Sequence, residues 1–175
     1  MSYRRESQSE VDKIALVFDI DPLLKIPAPE LQGFHRIYNE FIDYKTQSAD
    51  FENLPCPSEE AQKDYASLVD VFGKDKPNEF PKPAAKIQGL HHVHVFDGST
   101  DRELSRWLMK HQIKRVCDTL LFYGYFVYEE KHHFYILQYV GDPNGHSFQK
   151  DVTEMGYLIE RIKQYKESVK KPDIK

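Results

Sequence analysis

The stretch "DTLLFYGYFVYEEKHHFYILQYV", residues 118–140, decides the fold. It holds two long runs rich in aromatic and β-branched residues, roughly 119–128 and 133–140. Glu129, Glu130 and Lys131 separate them as a turn, so the pattern predicts a β-hairpin. Both runs are apolar on both faces, which predicts a central hairpin with helices on one side of the sheet.

Upstream, "AKIQGLHHVHVF" (85–96) reads as a third strand from its β-branched content and its alternation. Near the start, "KIALVF" (13–18) is a short apolar run that reads as another strand. Pro22, Pro27 and Pro29 then enforce a loop. From Glu30 onward, Leu31, Phe34, Tyr38, Phe41 and Ile42 recur at helical spacing in "ELQGFHRIYNEFIDYKTQ". Ser58 is placed to cap a second helix, with Tyr65, Leu68, Val69 and Phe72 as its stripe and Gly73 at its end. "KDKPNEFPKP" (74–83) reads as a proline-broken connection. In 97–115, Leu104, Trp107, Leu108 and His111 have helical spacing, although a long ordered loop fits as well. The last helix spans 146–171, with Phe148, Val152, Met155, Leu158, Ile159 and Ile162 as its stripe.

The predicted order is β-α-α-β-β-β-α. Three consecutive strands favour an α+β domain with an antiparallel or mixed sheet over a doubly wound one. The expected organisation is an acidic N-terminal extension with one strand (1–29), a main domain (30–170) and a frayed tail (171–175), possible also as a single domain throughout.

A hydrophobic content of 40% and an aromatic content of 13% supply a real core in 175 residues. No apolar run approaches the ~20 residues that span a bilayer. "MSYRRESQSEVDK" lacks the apolar stretch of a signal peptide. Cys56 and Cys117 form no CxxC and read as free thiols, so the expected setting is soluble and cytoplasmic. The net charge of −4 is unevenly spread. Residues 1–73 carry 7 Lys/Arg against 14 Asp/Glu, 74–116 carry 9 against 5, and 117–175 carry 8 against 9. Only the middle third offers a basic field for a polyanion.

Phosphate-binding glycine loops, HExxH, nucleophile elbows and paired CxxC motifs are absent from the sequence. The histidines are the candidate chemistry. Strand alternation puts His92 and His94 on one face with Leu90 and Phe96, and His91 on the other with Val93 and Val95. An H-x-H pair on a strand suits a metal, a polar functional face, or a satisfied core. The continuation "VFDG" lacks the third-ligand pattern of a metallo-hydrolase. His132 and His133 sit beside the hairpin turn, where solvation is expected. His146 precedes the last helix, where it can overhang a sheet face for general acid–base work. Lys110, Lys114 and Arg115 crowd the approach to the hairpin, while Lys74, Lys76, Lys82 and Lys86 lead into the histidine strand. Such cations hold phosphates, and Tyr123 and Tyr125 offer rings for stacking on bases.

Several short stretches, in this order, resemble the YafO family of bacterial type II toxins, ribosome-dependent mRNA interferases with a RelE-like fold. They are "NEFIDYKTQ" (39–47), "FGKD" (72–75), "LHHVHV" (90–95) and "RVCDTLLFY" (115–123), followed by "HSFQKDVTEMGYLIERIKQY" (146–165). His92, His94, His146, Lys150, Asp151 and Met155 occupy matching positions, and the resemblance covers roughly 34–166. The chain departs from the pattern in its acidic N-terminal extension, in extra sequence around 48–65, and in Lys150 where an arginine is expected.

The resemblance implies metal-independent endoribonuclease action on mRNA in the ribosomal A site, with no cofactor and a cognate antitoxin as partner. It implies His92, His94, Arg115 and His146 as catalytic residues, oriented by Asp118 and Asp151. Lys110, Lys114, Lys150 and Tyr123 are the expected RNA contacts. Two other readings stay open. One is a non-catalytic interaction module with an acidic binding face, and the other is a metal-dependent hydrolase using His92 and His94.

Overall fold

The structure, a computed structural model, describes residues 13–64 and 70–171. Five strands form one mixed sheet: β1 (Ala15–Ile20), β2 (Phe72–Pro77), β3 (Leu90–Val95), β4 (Leu120–Tyr128) and β5 (Lys131–Val140). Their spatial order is β1-β5-β4-β3-β2. β1 runs parallel to β5, and every other pairing is antiparallel. The α+β class and the mixed sheet match the sequence expectation and are consistent with a RelE-like arrangement. The N-terminal strand is hydrogen-bonded into this sheet, from Ala15 opposite Lys131 to Ile20 opposite Ile136.

The predicted hairpin is present, but its loop is Glu129 and Glu130 alone, since Lys131 pairs with Tyr128 and already belongs to β5. The φ values of the two glutamates, 48° and 63°, give the twist that a tight antiparallel connection requires. The helices cover both faces of the sheet rather than one. This follows from the strands themselves, which are apolar on both sides and need two covers. On one face lies α1 (Leu31–Asp50). Its buried residues Phe34, Ile37, Phe41, Tyr44, Lys45 and Ser48 keep the three-and-four spacing and press on Val93, Leu121, Tyr123, Phe134 and Ile136. On the other face lies α6 (Val152–Lys170), whose Met155, Leu158, Ile159 and Ile162 pack on Leu90, Leu120, Phe122 and Leu137.

The expected order lacks several elements. The anticipated second helix is represented among the described residues by α2 (Glu59–Asp64), capped as expected by Ser58 Oγ, which accepts from Ala61 N at 3.1 Å. Tyr65, Leu68 and Val69 of its expected stripe lie outside the described residues. Phe72 does not extend that helix but opens strand β2, which continues through 74–77 into the stretch expected to be a proline-broken connection. Gly73 is not a helix stop. It lies in β2 against the Arg115 carbonyl, where a Cβ would come within 2.1 Å of that oxygen. The lead-in to β3 is a short helix, α3 (Ala84–Gln88), ended by Gly89 at φ 76°. Only glycine takes that conformation freely.

The ambiguous segment resolves into helix α4 (Asp101–Leu108) followed by a 3-10 turn at Gln112–Lys114. Thr100 and Glu103 form a reciprocal capping box at the start of α4. The last helix is broken into α5 (Gly145–Lys150) and α6, because Asp151 turns extended and caps α6 through Thr153 N and Glu154 N. His133 is buried rather than solvated, stacked on Phe126 with ring centroids 4.7 Å apart. No described helix is long and apolar enough to cross a membrane.

Candidate active site

The alternation of β3 sorts its histidines as expected. His91 shares the α1 face, stacks on Tyr123, and bonds through Nδ1 to the Gly89 carbonyl at 2.8 Å. His92 and His94 share the opposite face, their rings 5.8 Å apart. His146, brought in at the start of α5, continues the row, with its ring 5.6 Å from that of His94. Two imidazoles from β3 thus lie beside a third that is more than fifty residues further along the chain.

A close backbone approach builds the end of that row. Gly145 N donates to the Asp118 carbonyl at 3.0 Å, and a Cβ on Gly145 would lie 2.3 Å from the same oxygen. This contact holds the start of α5 against residue 118. Asp118 Oδ1 then accepts from His146 N and from His146 Nδ1, both at 2.7 Å. These bonds, the backbone one first, hold the Asp118 carboxyl below the usual carboxylate range. The carboxylate also fixes the tautomer of His146 and leaves Nε2 as the outward nitrogen. The His146 side chain is 47% exposed.

His94 and His92 sit deeper. His94 is 4% exposed, and burial pulls its imidazole down to about 4. His92 is lowered well below its ordinary value, first by burial and then by the charge of its neighbours. Both rings are therefore neutral near pH 7. His92 Nδ1 is 2.6 Å from Asn78 Oδ1. The Asn78 amide donates to the Phe80 carbonyl, so its oxygen is the acceptor and His92 Nδ1 carries the proton. His94 Nδ1 lies 2.9 Å from the Cys117 carbonyl and 3.0 Å from the Cys117 N–H, one partner for each tautomer.

The cations that reach this row come from β2. Lys76 is opposite His92 in the strand register, and the charges of Lys74 and Lys76 both bear on His94. The residue between these lysines, Asp75, faces the other way. Its carboxylate takes Lys45 Nζ at 2.6 Å, Tyr44 OH at 3.0 Å and Tyr123 OH at 2.6 Å. Lys45 also donates to the Pro55 carbonyl and to Tyr123 OH. The network fixes β2 onto α1 while Lys74 and Lys76 project towards the histidines. Burial first, and Asp75 second, raise the Tyr44 and Tyr123 hydroxyls well above their ordinary value, so both stay protonated donors.

The remaining candidates separate. Arg115 is buried, and its guanidinium donates to the Lys110 and Leu108 carbonyls with Asp70 as its charged neighbour. Its contacts are not with the histidines. Tyr123 is fully buried with its hydroxyl in the Asp75 network, so its ring is closed to a base. Asp151 caps α6. Lys110, Lys114 and Lys150 are exposed. Among the described residues, no group of three or more His, Cys, Asp or Glu side chains is arranged to hold a metal ion. Sequence reading missed Lys45, Tyr44, Asp75 and Asn78 as supports, and it named Lys74 and Lys76 only as part of a basic approach. The single available signal was the Lys-Asp-Lys alternation in "FGKDKP".

The α+β architecture with its five-stranded mixed sheet is consistent with a RelE-like fold. The model of the family described as "Toxin YafO, type II toxin-antitoxin system" matches residues 32–167, and the chain belongs to that family. Membership makes it a toxin with a cognate antitoxin as partner. No curated protein and no solved structure gives a significant match.

Proposed function

We propose that this toxin is an endoribonuclease that cleaves translated mRNA on the ribosome without a metal ion. The observation that carries the proposal is the pairing of two unlike imidazoles. His94 is buried and neutral. His146 is half-exposed and backed by the Asp118 carboxylate. Neutral His94, in the tautomer whose Nδ1–H donates to the Cys117 carbonyl, offers Nε2 to the ribose 2′-OH. The 2′-oxygen bonds to the adjacent phosphorus as His94 takes its proton. The bond from phosphorus to the 5′-oxygen then breaks, and His146, in its imidazolium form, protonates that oxygen. Asp118 stabilises the positive ring before transfer. Lys74 and Lys76 offset the charge that builds on the phosphoryl oxygens. The products are a 2′,3′-cyclic phosphate and a 5′-hydroxyl.

The test is purified protein on translating ribosomes with a reporter mRNA, with and without EDTA, followed by end mapping. Cleavage that persists in EDTA and leaves those two ends is the expected result. His94→Ala and His146→Ala should each lower the rate by roughly 10²–10⁴-fold. No cleavage by the wild type, or different ends, overturns the proposal.

A further inference from the structure

Beside the histidine row, along the outer edge of β2, lies a cavity of about 890 Å³ that shares Lys74 and Lys76 with the proposed cleavage step and extends beyond them to Lys82 and Lys86. Its charge is unusual. Lys74 and Lys76 enter from β2, Lys82 from the turn before α3, and Lys86 from α3 itself. None of the four is ion-paired to a carboxylate among the described residues. Three carboxyl residues also line it, and two of them are already committed. Asp75 is held by Lys45, and Glu59 pairs with Lys63 at 3.2 Å. Glu79 and the exposed Glu59 are the carboxylates not held by a buried cation, so four lysines outnumber them in a chain whose net charge is −4.

The cavity is joined to the histidines. Asn78 lines it, and the same Asn78 accepts from His92 Nδ1. Lys76 lines it as well, and stands opposite His92 in the register. A polyanion lying along the histidine row therefore has Lys76 as its first cation on the way into this cavity. A chain of phosphodiesters suits it: the charges are spread over three elements rather than focused on one point, as a repeating backbone requires. Proline rings from Pro57, Pro77 and Pro83 supply apolar walls between the cations.

We infer that this cavity is a binding subsite for the phosphodiester backbone of single-stranded RNA flanking the cleaved bond, with Lys82 and Lys86 as its outer phosphate contacts. The inference rests on the proposed cleavage reading, but its test can fail separately. Because Lys82 and Lys86 lie away from the histidines and are exposed, their substitution leaves the folded core untouched.

The experiment measures binding of a labelled single-stranded 2′-O-methyl RNA, which lacks the attacking hydroxyl, across a salt series. Wild type is compared with Lys82→Ala/Lys86→Ala and Lys82→Arg/Lys86→Arg, each verified as folded by circular dichroism. Losing two phosphate contacts should reduce the slope of log K against log salt by about 1.4, at ~0.7 per contact on a single strand. The arginine variant should restore it. An unchanged slope in the alanine variant overturns the subsite, even where mRNA cleavage persists. Conversely, wild-type binding that depends on these lysines, without any mRNA cleavage, sinks the nuclease proposal and leaves the subsite standing. Competition by poly-glutamate as effective as that by unlabelled RNA would assign the cavity to an acidic protein segment and overturn the RNA reading.

Discussion

Lys45 and Asp75 make the sharpest prediction, because the charged atoms are solvated by each other, by the Tyr44 and Tyr123 hydroxyls and by the Pro55 carbonyl. Both side chains have no exposed surface, and Nζ sits 2.6 Å from Oδ2. The ammonium also lies 4.6 Å from the centres of the Tyr44 and Tyr123 rings. Asp75→Asn keeps the shape and strands the ammonium; Lys45→Met strands the carboxylate. Removing one partner of such a pair costs about 3–5 kcal/mol, a large share of the ~5–15 kcal/mol that holds an ordinary domain together. Removing both charges together should cost less than the sum of the single losses by about 2 kcal/mol or more, since no charge is then left buried alone. Tyr123→Phe, which deletes one hydroxyl from the network, should cost about 1–3 kcal/mol. Urea midpoints at constant m give each value. Single substitutions costing under about 1 kcal/mol, or losses that add within ~0.5 kcal/mol, would refute the assignment of a dry, mutually dependent pair.

Other outcomes follow from the same geometry. The His94 ring should titrate near 4 by NMR rather than near the ordinary ~6.5; a midpoint near the latter contradicts its burial. Its folded-state value is depressed, so the unfolded chain takes the proton first as pH falls. Stability is whole above about pH 6.5 and declines towards pH 4, by about 3 kcal/mol from this residue, with His92 acting in the same direction. Urea unfolding at pH 7 and at pH 4.5 tests the sign, and greater stability at the lower pH defeats it. In the hairpin, Glu129→Asn/Glu130→Gly places residues suited to φ values of 48° and 63°, and should raise stability by about 1 kcal/mol. A lower thermal midpoint would show that the glutamate side chains serve the turn in some other way.

What the sequence discloses depends on how local each signal is. The hairpin, α1 and the α6 stripe are legible because their apolar residues repeat at the period of the element they build. The split of the β3 histidines is legible for the same reason. β2 is not: "FGKDKP" is charged at three of its six positions and closes with a proline, and it sits at an edge with a register shift between Phe72 and Asp75. Its strand character comes from partners elsewhere in the chain. The site divides along the same line. His92 and His94 are marked by alternation and His146 by its place before a helix, but the burial that neutralises His94 is a tertiary fact. Arg115 carries the residue type that phosphate chemistry favours, yet it is spent on the loop carbonyls of Leu108 and Lys110. Lys74 and Lys76 stand at the histidine row instead, because Asp75 between them is turned inwards.

One contact changes the meaning of the segment around 48–65. β2 is a terminal strand, and the backbone of Asp75 would ordinarily face outwards unpaired. Gln62 lies against it: Asp75 N donates to Gln62 Oε1 at 3.0 Å, and Gln62 Nε2 donates to the Asp75 carbonyl at 2.6 Å. A primary amide presents one acceptor and one donor side by side, just as a peptide group on an adjoining strand does. Gln62 is thus a one-residue imitation of a sixth strand, and it ends the ladder at the place where another chain's backbone would otherwise add on. An insertion that looks like spare length is the selvedge of the sheet.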